Sequence, residues 1–331
     1  MRWLLLSLTI AACGGEPRAP DASSPTDAAS DAGPTADAGP DAGASPWRVE
    51  PALPVAIQEI AVEAHDGRIW VAGGFVRGAV VSTVHVFDPA TGAWTEGPPL
   101  PAPRHHMSLV SHGGDLYALG GMETTAFAPL DTAWALRAGA DAWAPIASLP
   151  VDRGAAAADS VGDLIVMVGG NESRGGLAQR TLVYDPAADA WDFGAPIPTE
   201  REHLAAVGAD GQLLVLAGRR NSLSTNRTEL EIYDPVADTW RSGPPLPTPR
   251  GGFDAALLDG VIYAVGGEQP DRALDSVDAF ELASETWSAA PPVPTPRHGH
   301  GVVALDGRVW VVGGADRPIF AAVDAVESFS P

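Results

Sequence analysis

Six apolar runs, each ending in a pair of small residues, recur along the chain at a nearly constant interval. Successive pairs are separated by 47, 49, 48, 49 and 47 residues. Each run follows a short glycine-containing turn and a second apolar stretch, a pattern that predicts a β-hairpin. The runs are RIWVAGG (68–74), DLYALGG (115–121), LIVMVGG (164–170), QLLVLAG (212–218), VIYAVGG (261–267) and RVWVVGG (308–314). A repeat near 48 residues indicates supersecondary units that stack on one another.

The remainder of each repeat predicts two further strands. In four repeats a Trp follows an aromatic residue by seven positions, and a Pro-rich segment such as WRSGPPLPTPR (240–250) comes next. Proline is tolerated in a strand at the edge of a sheet, where no ladder hydrogen bond is lost. The four pairs are Phe87 and Trp94, Tyr184 and Trp191, Tyr233 and Trp240, and Phe280 and Trp287. Each repeat is therefore predicted to contain four strands, with the Pro-rich one outermost.

The last repeat lacks its Trp, because the same spacing from Phe329 would place that residue five positions beyond Pro331. Trp47 lies 47 residues ahead of Trp94 and is in register with the other repeat tryptophans. No inner strands precede it. The N-terminal segment is therefore predicted to complete the C-terminal repeat and to close a ring of six.

The paired glycines, the YDP tripeptide and the Trp resemble the kelch repeat over essentially all of residues 46–331. The second copy departs from the pattern, with LDTAWALR (130–137), and the fourth has AG in place of GG. The resemblance implies an all-β fold, a six-bladed kelch-type β-propeller whose ring is closed by the N-terminal strand.

The N-terminal residues predict export. Residues 1–12, MRWLLLSLTIAA, have one Arg followed by a short apolar run and small residues, which is typical of a signal peptide. The segment from Ile10 to Cys13 resembles the lipobox of bacterial lipoproteins, in which the Cys is acylated. The alternative is an ordinary secretion signal with an incidental Cys. Because Cys13 is the sole cysteine, an intramolecular disulfide is excluded.

Residues 13–45 are dominated by Gly, Ala, Pro, Asp, Ser and Thr, and offer no large apolar side chain to bury. We expect this segment to be a disordered tether. The chain as a whole has a net charge of −22. Export and negative charge together disfavour nucleic-acid binding.

An arginine occurs ten residues after the register Trp in five repeats, and Ile57 takes the sixth position. The turns that carry these arginines, and the loops after the glycine pairs, are predicted to surround one mouth of the central channel. We call this side of the propeller the mouth face. Guanidinium groups bind carboxylates and phosphates in bidentate fashion, and kelch adaptors bind acidic peptides through arginines at the matching turn. The alternative is that the arginines brace the blades. They are Arg104, Arg153, Arg201, Arg250 and Arg297.

The turn TEREH (199–203) places Glu200, Glu202 and His203 at the predicted mouth. A carboxylate and an imidazole beside arginines are suited to acid–base chemistry on an anionic sugar. The bacterial sialic-acid mutarotases are also six-bladed kelch proteins, and the resemblance allows a similar activity here. The alternative is a solvated charged turn.

Histidines also gather at the predicted mouth: His105, His106, His203, His298 and His300. His106 and His203 lie two residues after their arginines, whereas His298 and His300 lie one and three residues after theirs. Strand alternation sends these two sets to different sides, so we predict no metal site. Copper chemistry of the galactose oxidase type requires a Tyr–Cys cross-link and is excluded, and no cofactor is predicted.

The sequence thus favours a monomeric lipoprotein on the periplasmic or outer side of the cell envelope. Its predicted role is to bind a protein, peptide or anionic glycan through the arginine-rich face. The alternative is a cofactor-independent epimerase or mutarotase acting on a sugar such as a sialic acid, and a third reading is a structural part of the envelope.

Overall fold

The computed structural model describes residues 45–174 and 176–331. The predicted signal peptide, Cys13 and the tether up to residue 44 lie outside the described residues. None of the helices in the described ranges is long and apolar enough to cross a membrane.

The described residues form six four-stranded antiparallel sheets, the blades of the propeller. The glycine-pair runs supply the second strand of each blade, and the apolar stretch before each run supplies the innermost strand, as the hairpin pattern predicts. From blade 1 to blade 6 the innermost strands are Ala61–His65, Ser108–His112, Ala157–Val161, Ala205–Ala209, Asp254–Leu258 and Gly301–Leu305. The second strands are Arg68–Ala72, Asp115–Leu119, Leu164–Val168, Gln212–Leu216, Val261–Val265 and Arg308–Val312.

The aromatic and the Pro-rich segments of each repeat form the two outer strands. The third strands are Val84–Asp88, Ala133–Leu136, Thr181–Asp185, Leu230–Asp234, Val277–Glu281 and Val326–Phe329. The outermost strands are Ala93–Glu96, Ala144–Pro145, Ala190–Gly194, Thr239–Ser242, Thr286–Ala290 and, in blade 6, Trp47–Val49. The short outermost strand of blade 2 corresponds to the repeat in which the sequence pattern is degraded.

The N-terminal strand closes the ring, as predicted. Trp47–Val49 pairs with Val326–Phe329, and Trp47 lies opposite Phe329 with ring centroids 5.2 Å apart. Phe87 and Trp94 are paired in the same way in blade 1. Innermost strands of consecutive blades contact one another around the whole ring, including those of blades 6 and 1. The missing tryptophan of the last repeat is therefore Trp47.

Apolar side chains pack between neighbouring blades, where they form the core. One cluster, for example, joins Leu216 and Leu230 of blade 4 to Phe253 and Phe280 of blade 5. The register tryptophans add a polar link, because each indole N–H donates to a carbonyl of the preceding blade at about 2.9–3.0 Å. The pairs are Trp47 with Pro291, Trp94 with Pro51, Trp143 with Pro98, Trp191 with Ala147, Trp240 with Ala195 and Trp287 with Pro244.

Short elements decorate the mouth face after the glycine pairs. Two-residue strands pair as Phe75–Val76 with Ala79–Val80, Asn171–Glu172 with Gly176–Leu177, and Glu268–Gln269 with Arg272–Ala273. A 3₁₀ helix, Leu223–Thr225, occupies the corresponding loop of blade 4. These loops form the outer wall of a pocket at the channel mouth.

Candidate functional site at the channel mouth

The five register arginines are buried inside their own blades. Arg201 is fully buried, pairs with Glu231 on the third strand of blade 4, and donates to the Val215 carbonyl at 3.1 Å. The other pairs are Arg104 with Glu123, Arg153 with Glu172, Arg250 with Asp278 and Arg297 with Glu327. A guanidinium already bound to a carboxylate and to backbone carbonyls is not available to a ligand. The geometry therefore agrees with bracing of the blades, the alternative to the ligand-binding role predicted for these arginines.

The residue two positions after each arginine lies at the channel axis. In blade 4 this residue is His203, whose φ of 53° is in the left-handed region. Its N–H donates to the carbonyl of Ala155 at 3.0 Å, and its carbonyl accepts from Gly252 at 3.0 Å. The equivalent residues of all six blades repeat these bonds and close a ring of backbone hydrogen bonds. They are Glu59, His106, Ala155, His203, Gly252 and Gly299.

Three of the six ring residues carry long side chains, and these converge. We call Glu59, His106 and His203 the axial triad. The Nε2 atom of His106 lies 3.2 Å from Oε2 of Glu59 and 3.0 Å from Nε2 of His203. One ligating atom of each residue lies within 4.8 Å of those of the other two. Since the other three ring positions hold only Ala or Gly, one side of the triad is not covered by a ring side chain.

A second layer of polar residues holds the triad. Glu202 contacts Nδ1 of His203 and accepts from Nε of Arg219 at 3.0 Å. Arg219 also donates to Glu268 at 2.5 Å, so that its guanidinium lies between two carboxylates. On the other side, Nδ1 of His105 lies 2.5 Å from Nδ1 of His106.

Burial keeps these imidazoles neutral. It lowers the pKa of His105 to about 4 and that of His106 to about 3, with Arg219 adding to the effect at His106. The pKa of His203 is also well below its ordinary value, again because of burial first and Arg219 second. The floor of the mouth therefore carries the carboxylates of Glu59, Glu202 and Glu268 against the one guanidinium of Arg219.

Above the triad the loops enclose an open pocket with a volume of about 400 Å³. Its floor is polar, but its rim includes Phe127, Ile319 and Phe320, which are 46%, 65% and 56% exposed. Six large apolar side chains are exposed among the described residues, and half of them lie on this rim. Phe75 is buried beneath the rim, with ring centroids 5.4 Å from Phe320 and 6.2 Å from Phe127.

Of the three predicted acid–base residues, two reach the pocket. Glu202 and His203 lie on its floor, whereas Glu200 accepts from the side-chain amide of Gln179 at 2.6 Å in an exposed position away from the triad. Glu59 was missed because its repeat has Ile57 in place of the arginine. Counting two positions on from Ile57, as from each arginine, gives Glu59.

The channel on the other side of the ring contains three half-buried carboxylates, Glu63, Asp159 and Asp254, in blades 1, 3 and 5. Asp159 accepts the N–H of Gly208 at 2.7 Å, and Asp254 accepts that of Val302 at 2.8 Å, so each bonds to the next blade. Burial raises the pKa of Asp159 to about 6 and that of Asp254 to about 7. The pKa of Glu63 is raised as well, by burial and by the charge of Asp159.

Two models of kelch-repeat domains match this chain. The KLHDC2/KLHL20/DRC7 kelch-repeats domain matches residues 146–314, which is about half of the chain, and a kelch motif matches residues 59–101. The chain belongs to the kelch-repeat family. No curated protein gives a significant match to this kelch protein.

Solved structures support the fold independently. The structure of YjhT superposes with a TM-score of 0.71 at 13% identity, covering 84% of this chain and 95% of that one. An identity this low shows the fold alone. The predicted six-bladed kelch propeller is confirmed by both comparisons and by the closed ring of blades.

Proposed function

We propose that this kelch protein is a binding module that takes a segment of a protein or peptide at the mouth face. The observation that carries the proposal is the apolar rim of Phe127, Ile319 and Phe320 around a polar floor. Exposed apolar groups clustered at one concave site are characteristic of binding surfaces, and aromatic anchors supply much of the affinity at protein interfaces. Kelch propellers commonly bind proteins, which supports the same role.

The charge of the floor selects among the ligands predicted from the sequence. Glu59, Glu202 and Glu268 face one guanidinium, that of Arg219, and burial keeps His106 and His203 neutral. The register arginines are engaged within their blades. A cationic or neutral group on the ligand therefore fits the floor better than a carboxylate or an anionic glycan does.

We further propose that the module is displayed at the cell envelope. The lipobox-like residues around Cys13 support a lipid anchor, and the composition of residues 13–45 supports a tether between anchor and propeller. On the periplasmic or outer side, such a tether would let the mouth face reach partners away from the membrane.

Selection of short random peptides displayed on phage tests the binding proposal. The purified chain is the bait, and parallel selections use Phe127→Ser/Phe320→Ser and a control, Phe193→Ser/Val236→Ser, which changes exposed apolar residues away from the rim. We expect enriched peptides to bind the wild-type and control chains alike, and the rim variant at least about tenfold more weakly, a loss of 1.4 kcal/mol. Failure to enrich any peptide, or binding that the rim variant retains, would contradict the proposal.

A second candidate is acid–base catalysis on a sugar, the alternative predicted from the sequence. The contact between Glu202 and His203 at the base of a pocket favours it, because a carboxylate that orients an imidazole is a common acid–base arrangement. Exchange between the anomers of sialic acids and of neutral sugars, followed by NMR, tests this activity. Acceleration by the wild-type chain that Glu202→Gln abolishes would support an enzyme, whereas the uncatalysed rate throughout would exclude these substrates.

A further inference from the structure

Hydrogen bonds around the axial triad determine which nitrogen of each histidine carries its proton. Nε2 of His105 lies 3.1 Å from the carbonyl oxygen of Thr124, which can only accept, so this nitrogen is the donor. In the neutral ring Nδ1 of His105 must then accept, and its partner at 2.5 Å is Nδ1 of His106. His106 therefore carries its proton on Nδ1, and its Nε2 has a free lone pair.

The same reasoning assigns His203. Its Nδ1 contacts a carboxylate oxygen of Glu202, which can only accept, so a proton on Nδ1 would satisfy both of these buried atoms. Nε2 of His203 is left with a lone pair. Nε2 of His203 lies 3.0 Å from Nε2 of His106. A third acceptor, Oε2 of Glu59, lies 3.2 Å from Nε2 of His106.

Three electron-pair donors thus face one another without a proton between them in these tautomers, and a cation bound by all three would remove their mutual repulsion. We infer that the axial triad is the site of a divalent transition-metal ion, held by Nε2 of His106, Nε2 of His203 and the carboxylate of Glu59. Two imidazoles and one carboxylate are ligands that suit zinc, with a fourth position left to water or substrate.

The spacing of the donor atoms fits such an ion. Zinc bonds of about 2.0–2.1 Å in tetrahedral geometry place neighbouring ligand atoms about 3.3 Å apart. The two separations from Nε2 of His106, 3.0 Å to His203 and 3.2 Å to Glu59, are within a few tenths of an ångström of that value. The ligating atoms of all three residues lie within 4.8 Å of one another, so small side-chain movements would bring them to these distances.

Residues around the triad supply the outer support that metal-binding histidines require. Glu202 holds the ring of His203, and His105 holds that of His106, each through the nitrogen that does not face the ion. The absence of a side chain at Gly299 leaves room for the carboxylate of Glu59, because a Cβ there would lie 2.6 Å from its Oε1 atom. The pocket above gives a non-protein ligand access from solvent.

Zinc titration of the full chain by calorimetry tests the site, with bound metal counted by mass spectrometry. Every protein carries Cys13→Ser, so that the one thiol cannot supply a ligand. We expect about one equivalent of zinc on the parent chain. His106→Ala, His203→Ala and Glu59→Gln should each weaken binding more than about 100-fold, and Glu202→Gln, one layer out, about 10–100-fold. His112→Ala is the matched control, since this histidine bonds Ser160 away from the triad, and should bind as the parent does.

Cobalt gives a readout that does not depend on the folding of any variant. Cobalt(II) bound by two imidazoles and a carboxylate in the parent chain should show the strong visible bands of a four-coordinate ion. Absence of those bands together with absence of zinc binding would overturn the inference. Zinc binding that persists undiminished in folded His106→Ala and His203→Ala chains would overturn it as well.

Discussion

At the scale of single residues, Arg250 shows what the register arginines do. Its guanidinium is buried in blade 5, pairs with Asp278 and donates to carbonyls that include Ser276. Burial lowers the pKa of Arg250 to about 10, and the Asp278 carboxylate opposes that shift. Such an arginine stabilises the blade only while its partners remain in place.

Arg250→Ala should therefore lower the free energy of unfolding by about 3–5 kcal/mol, because it leaves the Asp278 carboxylate buried without its cation. Arg241→Ala, which breaks the exposed pair with Glu285, should cost less than about 1 kcal/mol and is the matched control. Replacing both partners, as Arg250→Met/Asp278→Leu, should recover most of the loss. Denaturant unfolding measures all three, and equal losses for Arg250→Ala and Arg241→Ala would contradict the bracing role.

Asp254, in the channel, makes stability depend on pH. Its pKa is about 7 in the folded chain against an ordinary value of 3.8. Above pH 4 the unfolded chain loses this proton while the folded chain keeps it, so stability falls as the pH rises towards 7. The loss from this one group reaches about 4 kcal/mol at 1.36 kcal/mol for each pKa unit. Asp159 and Glu63, which share the channel, add to the same trend.

Asp254→Asn removes this titration. We expect the free energy of unfolding of the variant, relative to that of the wild-type chain, to increase steadily between about pH 4 and pH 7. Unfolding in denaturant at several pH values measures the difference. Asp271→Asn, at an exposed position on the mouth face, should leave the pH dependence of the wild-type chain unchanged. A parallel pH dependence for Asp254→Asn and the wild-type chain would show that the channel carboxylate ionises freely.

At the scale of elements, the three-residue strand Trp47–Val49 closes the propeller. Trp47 stacks on Phe329 and donates to the carbonyl of Pro291 at 3.0 Å, so it links blade 6 to blade 5 as well. Trp47→Ala should cost about 3–5 kcal/mol and speed amide hydrogen exchange first in Val326–Phe329, its paired strand. Trp94→Ala, in the equivalent place in blade 1, should leave exchange in Val326–Phe329 unchanged. Uniform acceleration in all blades would argue against local opening at the closure.

Elements of this fold were predictable because each depends on local features that the sequence repeats. The hairpin turns, the glycine pairs and the interval from Phe329 to the absent Trp predicted all six blades and the role of Trp47. Blade 2 was correctly read as degraded, and its outermost strand is only the pair Ala144–Pro145.

The site was less predictable, because it depends on where side chains point. The repeat placed Arg201 at the mouth but did not show that Glu231, a residue thirty positions later, pairs with it. Alternation along a strand separated His106 and His203 from His300, whose Nε2 lies 3.1 Å from the carbonyl oxygen of Val265, but not from His298, whose Nδ1 lies 3.6 Å from Oε1 of Glu59. The sequence pattern did not identify Glu59, because its repeat has Ile57 at the position of the arginine. The left-handed backbone conformation at Glu59 directs its side chain to the channel axis.

At the scale of the whole molecule, burial of the register arginines changes the predicted charge pattern. The mouth face keeps exposed loop arginines such as Arg272 and Arg317, but the five in register are neutralised within the blades. The chain has a net charge of −22, and the register arginines do not form a locally positive ring at the channel mouth, because each is paired with a carboxylate. Attraction of anions to this face should be weaker than the sequence alone suggests.

We predict that the whole molecule is attached to a membrane through acyl chains on Cys13. If Cys13 carries acyl chains on both its sulfur and its amine, the hydrocarbon buried by several chains makes the attachment stable, whereas one chain gives only marginal binding. Cys13→Ser should move the protein from the membrane fraction to the soluble fraction. The thermal midpoint of the propeller should not change, because the anchor lies outside residues 45–331. Intact-mass measurement of the wild-type chain should show the acyl groups, and an unmodified Cys13 in a chain that remains soluble would favour an ordinary secretion signal.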